Sequence, residues 1–182
     1  MALRPRVQVL ALTACAAMAL PATAVASAPC ADAGALPGQA SADALAKASV
    51  CLLNKSRAKR GLKTLRLDRR LSAAARSHTQ DMVSRRYFAH VSRSGTDVVD
   101  RLSRVGYMRG ARSWSVGENL AWGSGVRSTP RQIVSSWMSS SGHRANVLSG
   151  RFREIGVGVV LSAPTGRGSE AATYTHTFGY RR

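Results

Sequence analysis

Several signatures of well-understood chemistry are missing from this 182-residue chain. There is no H-E-x-x-H pair for a helical zinc protease, no G-x-x-x-x-G-K-[ST] loop to cradle a nucleotide and no G-x-S-x-G elbow for a serine nucleophile. After the N-terminal segment no run is apolar enough to span a bilayer, and no internal repeat is visible. Acid is scarce: nine Asp and Glu stand against 27 Lys and Arg. Any carboxylate in an apolar setting is therefore conspicuous.

What is present begins with an export signal. Arg4 and Arg6 precede an apolar run from Val7 to Leu20 that closes in small residues around Ala24-Val25-Ala26, the layout of a signal peptide over residues 1–26. The run is short for a spanning helix, and Pro21 follows at once. Leu12-Thr13-Ala14-Cys15 also has the form of a lipid-attachment box, so a lipoprotein held through Cys15 is the alternative. Against it, the apolar stretch continues past Cys15, where a lipoprotein turns polar. The remainder suffices for one domain with one core, exported and acting outside the cytosol.

Without Arg4 and Arg6 the basic count falls from 27 to 25 against nine acids, a balance of +16. A field of that size attracts polyanions, and outside the cell these are an anionic cell-wall polymer or a lipid surface. The charge is spread along the chain rather than blocked, so a solvated surface explains it as well. Nucleic acid is argued against: export removes that partner, and aromatic residues do not interleave with the basic ones. Two cysteines survive cleavage, Cys30 and Cys51, and in an oxidising compartment they are expected to be bonded. The bridge would tie a leader of residues 27–40 to the first helix, worth ~3 kcal/mol in the chain-entropy model. No Cys then remains as a nucleophile, and a thiolate metal site lacks ligands.

The patterned region starts near Ser41. Leu45, Ala48, Cys51 and Leu52 predict one face of a helix over residues 43–60, stopped by Gly61. Asp68 caps a second helix in which Leu71, Ala75, His78 and Met82 share a face, so His78 reads as a core group rather than a ligand. Tyr87 to Ser92 is an aromatic-led loop. A short helix, capped by Asp97, runs to about Val105 and stops at Gly106. Residues 110–125, with four glycines besides Trp114, Glu118 and Trp122, read as irregular chain with a brief strand. Thr129-Pro130-Arg131-Gln132 is a capping box that opens a helix with Ile133, Trp137 and Met138 as its buried stripe, ended by Gly142. Ile155, Val157, Val159 and Leu161, then Tyr174, His176 and Phe178, alternate as two strands joined by a Pro/Gly turn. Helices first and strands last predict an α+β fold with an antiparallel sheet packed between helices.

Glu118 lies in the apolar stretch from Val116 to Trp122, and there a carboxylate must be paired or lose its charge. Histidine is the expected partner, since an imidazole can donate to the carboxylate and keep its second nitrogen for a ligand. The stretches Phe88-Ala89-His90-Val91-Ser92, Gly117-Glu118-Asn119-Leu120-Ala121, Trp137 with Gly142-His143-Arg144-Ala145-Asn146-Val147-Leu148, and Ile155-Gly156-Val157-Gly158 resemble, in that order, the CAP superfamily. This is the cysteine-rich secretory, antigen 5 and pathogenesis-related 1 group, and the likeness is closest to its bacterial SCP-like extracellular members. It covers the chain from Ser41 to Tyr180 and implies a CAP domain over residues 41–182. The implied fold is a three-layer α-β-α sandwich with a central, mainly antiparallel sheet.

The resemblance also implies a cleft of two histidines and two acids. His90 matches the first histidine, Glu118 the acid of the G-E-N segment, with Asn119 beside it, and His143 the second histidine. Three residues after Trp137, where plant and animal members carry an acid, this chain has Ser140. The many cysteines of the eukaryotic members are absent as well. Two imidazoles and a carboxylate could take a divalent metal such as zinc, with His90 and His143 as its ligands, and members of the superfamily have been proposed as metal-dependent proteases. The competing reading is a hydrogen-bond network that holds the cleft together. The preferred function is a module that binds an extracellular lipid, glycan or wall polymer, not an enzyme; the alternative is a metal-dependent hydrolase or protease using the same cleft.

Overall fold

A computed structural model describes residues 29–166 and 168–182; the expected export signal and Cys15 lie outside the described residues. The order of elements is α1 (Ala42–Ala58), β1 (Arg66–Leu67), α2 (Arg69–Ser84), α3 (Val98–Arg104), β2 (Trp114–Ser124), a 3-10 turn (Gly125–Ser128), α4 (Pro130–Ser139), α5 (Ser141–Val147), β3 (Glu154–Val160) and β4 (Ala171–Arg181). The helix starts follow local chemistry. Ser41 Oγ accepts from the Ala44 N–H at the head of α1, Asp68 accepts from Arg70 and Leu71 at the head of α2, and Asp97 and Asp100 cap α3 reciprocally, each supplying an acceptor to donors that the first turn leaves open.

Among the described residues four strands form one sheet in the order β1-β3-β4-β2. It is antiparallel except where the two-residue β1 pairs parallel with β3. Along β3 and β4 the two faces differ in kind. Ile155, Val157, Val159, Tyr174 and Phe178 join Leu45 and Leu53 of α1 and Ile133 and Trp137 of α4 in the main core. The opposite face carries glycines and threonines, and α2 lies directly on it. A Cβ at Gly156 would stand 2.0 Å from the Leu71 carbonyl carbon, and one at Gly158 2.5 Å from that of Ala75. Backbone meets backbone here, so the alternating glycines of β3 are a steric requirement. A smaller cluster of Leu71, Ala74, Leu102 and Tyr107 closes the layer of α2 and α3. The result is the α-β-α sandwich.

Leu71, Ala75, His78 and Met82 are buried on α2, as their spacing predicts. On α1, Leu53 takes the buried place that the sequence reading assigned to Leu52, and Cys51 is only partly buried. Cys51 instead bonds Cys30 with Cα atoms 5.8 Å apart. The leader is held a second time by the Arg131 N–H, which donates to Ala33 O.

Two expectations fail. Residues 110–125 are not mainly irregular: Trp114 to Ser124 is an 11-residue strand paired with β4 at every position. Glycines weaken the local strand signal there, and the partner that overrides them lies some sixty residues on. Gly142 does not end α4 either. The break comes at Ser140, and Gly142 falls inside α5.

We expect Gly156→Ala to cost ~1–3 kcal/mol of stability, read as a lower urea midpoint. Gly142→Ala, whose Cβ meets nothing within 4 Å in a helix, should be neutral or stabilising. Equal midpoints would show that α2 does not press on β3.

Candidate functional site

Glu118 sits in the middle of β2 with its side chain only 3% exposed. Its charge is answered from two directions. From α3, Arg101 Nη2 donates to Oε2 at 2.9 Å and to Oε1 at 3.2 Å, and from the loop after α2, His90 Nδ1 donates to Oε1 at 2.9 Å. A carboxylate beside a guanidinium can only accept, which fixes the proton of neutral His90 on Nδ1 and leaves Nε2 free. The His90 side chain is 57% exposed, so that free nitrogen belongs to an open surface. Arg101 does more than neutralise. Its remaining donors reach Thr96 O and His90 O, both at 3.0 Å, and so clamp the His90 loop to α3.

His143 arrives by another route. It stands inside α5, not outside a helix as the sequence suggested, and its Nδ1 is hydrogen-bonded to Ser140 Oγ at 2.9 Å. Among the described residues strand β2 has a single partner strand, β4, and carbonyls of β2 take further donors from the helices. Asn146 Nδ2 donates to Glu118 O and to Asn119 Oδ1, Asn119 Nδ2 donates to His143 O, and Trp137 Nε1 donates to Leu120 O. The asparagine bonds dock α5 on the Glu118-Asn119 segment, and the Trp137 bond docks α4 beside it. A Cβ at Gly117 would lie 2.8 Å from Asn146 Oδ1, so that glycine is what lets α5 come so close.

The far end of α5 is secured by Arg57, which is fully buried on α1. Its guanidinium donates to the carbonyls of Lys63, Val147, Ser149 and Phe152. No carboxylate is among these partners; the cation is satisfied by carbonyl dipoles at a helix C-terminus. Burial, and the nearby Arg153, lower its pKa from the ordinary arginine value.

Of the five residues expected in the cleft, His90 and Glu118 are thus in direct contact, Ser140 and His143 form a second pair, and Asn119 ties the second to the strand that carries the first. Burial lowers the pKa of His143 below the ordinary imidazole value, and the charge of His90 lowers it further. The other two histidines are in the core. His78 Nε2 donates to Ala89 O, while His176, hydrogen-bonded to Ser49 and edge-on to Trp137, is pushed down to about 3 by burial alone.

Arg101 and Arg57 were not foreseen. The first lies on a helix that the sequence does predict, but no spacing ties it to Glu118, 17 positions away. The metal set of two imidazoles and a carboxylate does not fit. Among the described residues no group of three or more His, Cys, Asp or Glu side chains is arranged to hold a metal ion, and both Glu118 oxygens are engaged by a guanidinium. Only His90 and His143 remain to such a ligand.

Comparison with known proteins agrees with this architecture. A family model described as CAP, the cysteine-rich secretory protein family, matches residues 50–177. Protein YkwD of Bacillus subtilis (strain 168) is 40% identical over 122 residues, 67% of this chain and 45% of that protein. A solved extracellular protein containing an SCP domain, from Bacillus anthracis str. Ames, is 26% identical with a TM-score of 0.56, over 76% of this chain and 43% of that one. An outer surface protein of Borrelia burgdorferi, 19% identical, shares the fold with a TM-score of 0.59 over 73% of this chain and 90% of its own. The chain spans less than half the length of the curated relatives it matches.

Removing Glu118 leaves Arg101 buried without its counter-charge. Glu118→Ala should therefore cost ~3–5 kcal/mol in urea denaturation, against no more than ~0.5 kcal/mol for Glu170→Ala on the surface. Similar losses in the two variants would deny Glu118 its structural role.

Proposed function

This chain belongs to the cysteine-rich secretory protein (CAP) family, and from that premise we propose that it is an extracellular binding module whose cleft is formed by His90, Glu118, Asn119, Ser140 and His143. The observation that carries this reading is the condition of Glu118, held on both oxygens by Arg101 and on one by His90. A carboxylate so engaged orients an imidazole and is a poor general base. Ser140 brings a hydroxyl hydrogen-bonded to His143 where a second acid would be needed. What such a cleft offers a ligand is a set of fixed hydrogen-bonding groups on a basic body. That suits a lipid headgroup, a glycan or, with the +16 balance favouring anions, a cell-wall polymer. Action outside the cell is supported by the extracellular Bacillus anthracis relative. Among the described residues no helix is long and apolar enough to cross a membrane.

A metal-dependent hydrolase or protease in the same cleft is the second reading. It is favoured by one observation: burial lowers the pKa of His143 and so favours the neutral form, in which imidazole can be a ligand. It is weakened by the loss of Glu118 as a third ligand.

Retention on anionic wall polymer and on acidic vesicles, at low and high salt, separates the outcomes. Binding should weaken as salt rises and fall again, at fixed low salt, in the His90→Ala/His143→Ala double variant. Peptide and wall-fragment substrates should stay intact with or without a chelator. Retention indifferent to both salt and the double substitution would overturn the binding module, and chelator-sensitive turnover would establish the hydrolase.

A further inference from the structure

Arg101 also lines a second pocket, of about 210 Å³, between α2 and the loop of residues 92–96. Three guanidinium groups border it, those of Arg85, Arg101 and Arg104, against the single carboxylate of Asp81. Asp81 is already spoken for: Arg85 pairs with it at 3.0 Å, and the Tyr87 hydroxyl donates to it. Arg101 is balanced by Glu118. Arg104 makes one hydrogen bond, to Thr96 Oγ1 at 3.3 Å, and is the cation left uncompensated. Beside it the hydroxyls of Ser92, Ser94 and Thr96 run edge to edge at 3.0 and 3.3 Å, and the Thr96 N–H, donating to Ser92 Oγ, fixes the loop that carries them.

His78, on the remaining wall, has an unused acceptor. His78 is 1% exposed and lines this pocket. Its Nε2 must carry the proton it donates to Ala89 O, so Nδ1 is a bare lone pair, and that atom is buried without a partner. Buried polar atoms are ordinarily satisfied, and one that is not points to a missing partner. The ligand that fits is an anion with several oxygens for Arg104 and the hydroxyls, and one hydrogen-bond donor for His78.

We propose that the pocket framed by His78, Ser94, Arg101 and Arg104 binds a phosphate group that carries a donor: hydrogen phosphate itself, or a phosphate ester whose alcohol keeps a hydroxyl. Guanidinium groups are suited to such oxyanions because their N–H pairs match them two at a time. The size of the pocket suits a headgroup-sized ligand, below the range of drug-sized sites. This site is separate from the two-histidine cleft and shares only Arg101 and Thr96 with its supporting network.

Titration calorimetry on the mature chain in chloride buffer at neutral pH tests this with inorganic phosphate, glycerol 3-phosphate and sulfate. Phosphate should bind saturably at one site per chain. Sulfate, with the same tetrahedral oxygens but no proton at that pH, should bind about tenfold more weakly, and Arg104→Ala should weaken phosphate by about tenfold or more. Arg127→Ala, which removes a charge elsewhere, should change nothing. Glycerol 3-phosphate binding as well as phosphate would make an ester headgroup the occupant; its exclusion would make it the free ion. The proposal fails if phosphate does not saturate, if sulfate equals it, or if Arg127→Ala costs as much as Arg104→Ala. None of these readouts depends on retention by a polymer, so failure here leaves the reading of the cleft standing.

Discussion

A carboxylate that is 3% exposed in the middle of a strand cannot be left alone, and the geometry of the site follows from how Glu118 is paired. The desolvation of an isolated buried carboxylate far exceeds what a single domain can absorb. It is met by Arg101 and His90 together, and the same guanidinium reaches back to the His90 carbonyl. One charge requirement therefore joins the edge strand, α3 and the loop after α2. It also decides the chemistry. In our reading the guanidinium makes Glu118 an orienting group for the imidazole and not a metal ligand or base.

The second half of the site depends on close approach instead of charge. Strand β2 accepts α5 through Asn119 and Asn146, and Gly117 leaves the space in which Asn146 lies. Arg57 pins the other end of α5 to α1 through four carbonyls. His143 is thus positioned through its backbone, by Asn119 on its carbonyl and by Arg57 at the far end of its helix. The glycines of β3 play the matching part beneath, letting α2 lie on the sheet and bring the end of its chain to the His90 loop.

What could be read from the sequence was whatever chemistry is local. The caps at Asp68, Asp97 and Thr129 and the spacing of Leu71, Ala75, His78 and Met82 needed only neighbours within a turn or two, and they were legible. The alternation of β3 and β4 was legible for the same reason. Strand β2 was not, because Gly117 and Gly123 interrupt its pattern and its register is set by β4, far along the chain. The short α5 was hidden by Gly142, a residue that stops many helices and here sits in the first turn of one. Within the site, an acid needing a partner was evident at Glu118, and His90 as one partner came from the family resemblance. The Arg101 pairing was invisible, since nothing in one sequence distinguishes it from the other arginines on predicted helices.

The central claim is that Glu118, held by Arg101, fixes the proton of His90 on Nδ1 and leaves its Nε2 bare. Nitrogen-15 NMR of the imidazole rings at a pH where His90 is neutral reads this directly. The account predicts His90 locked as the Nδ1–H tautomer in the native chain, and mixed or reversed once Glu118 is replaced by Ala. A native His90 with its proton on Nε2, or one whose tautomer is indifferent to Glu118, would contradict it.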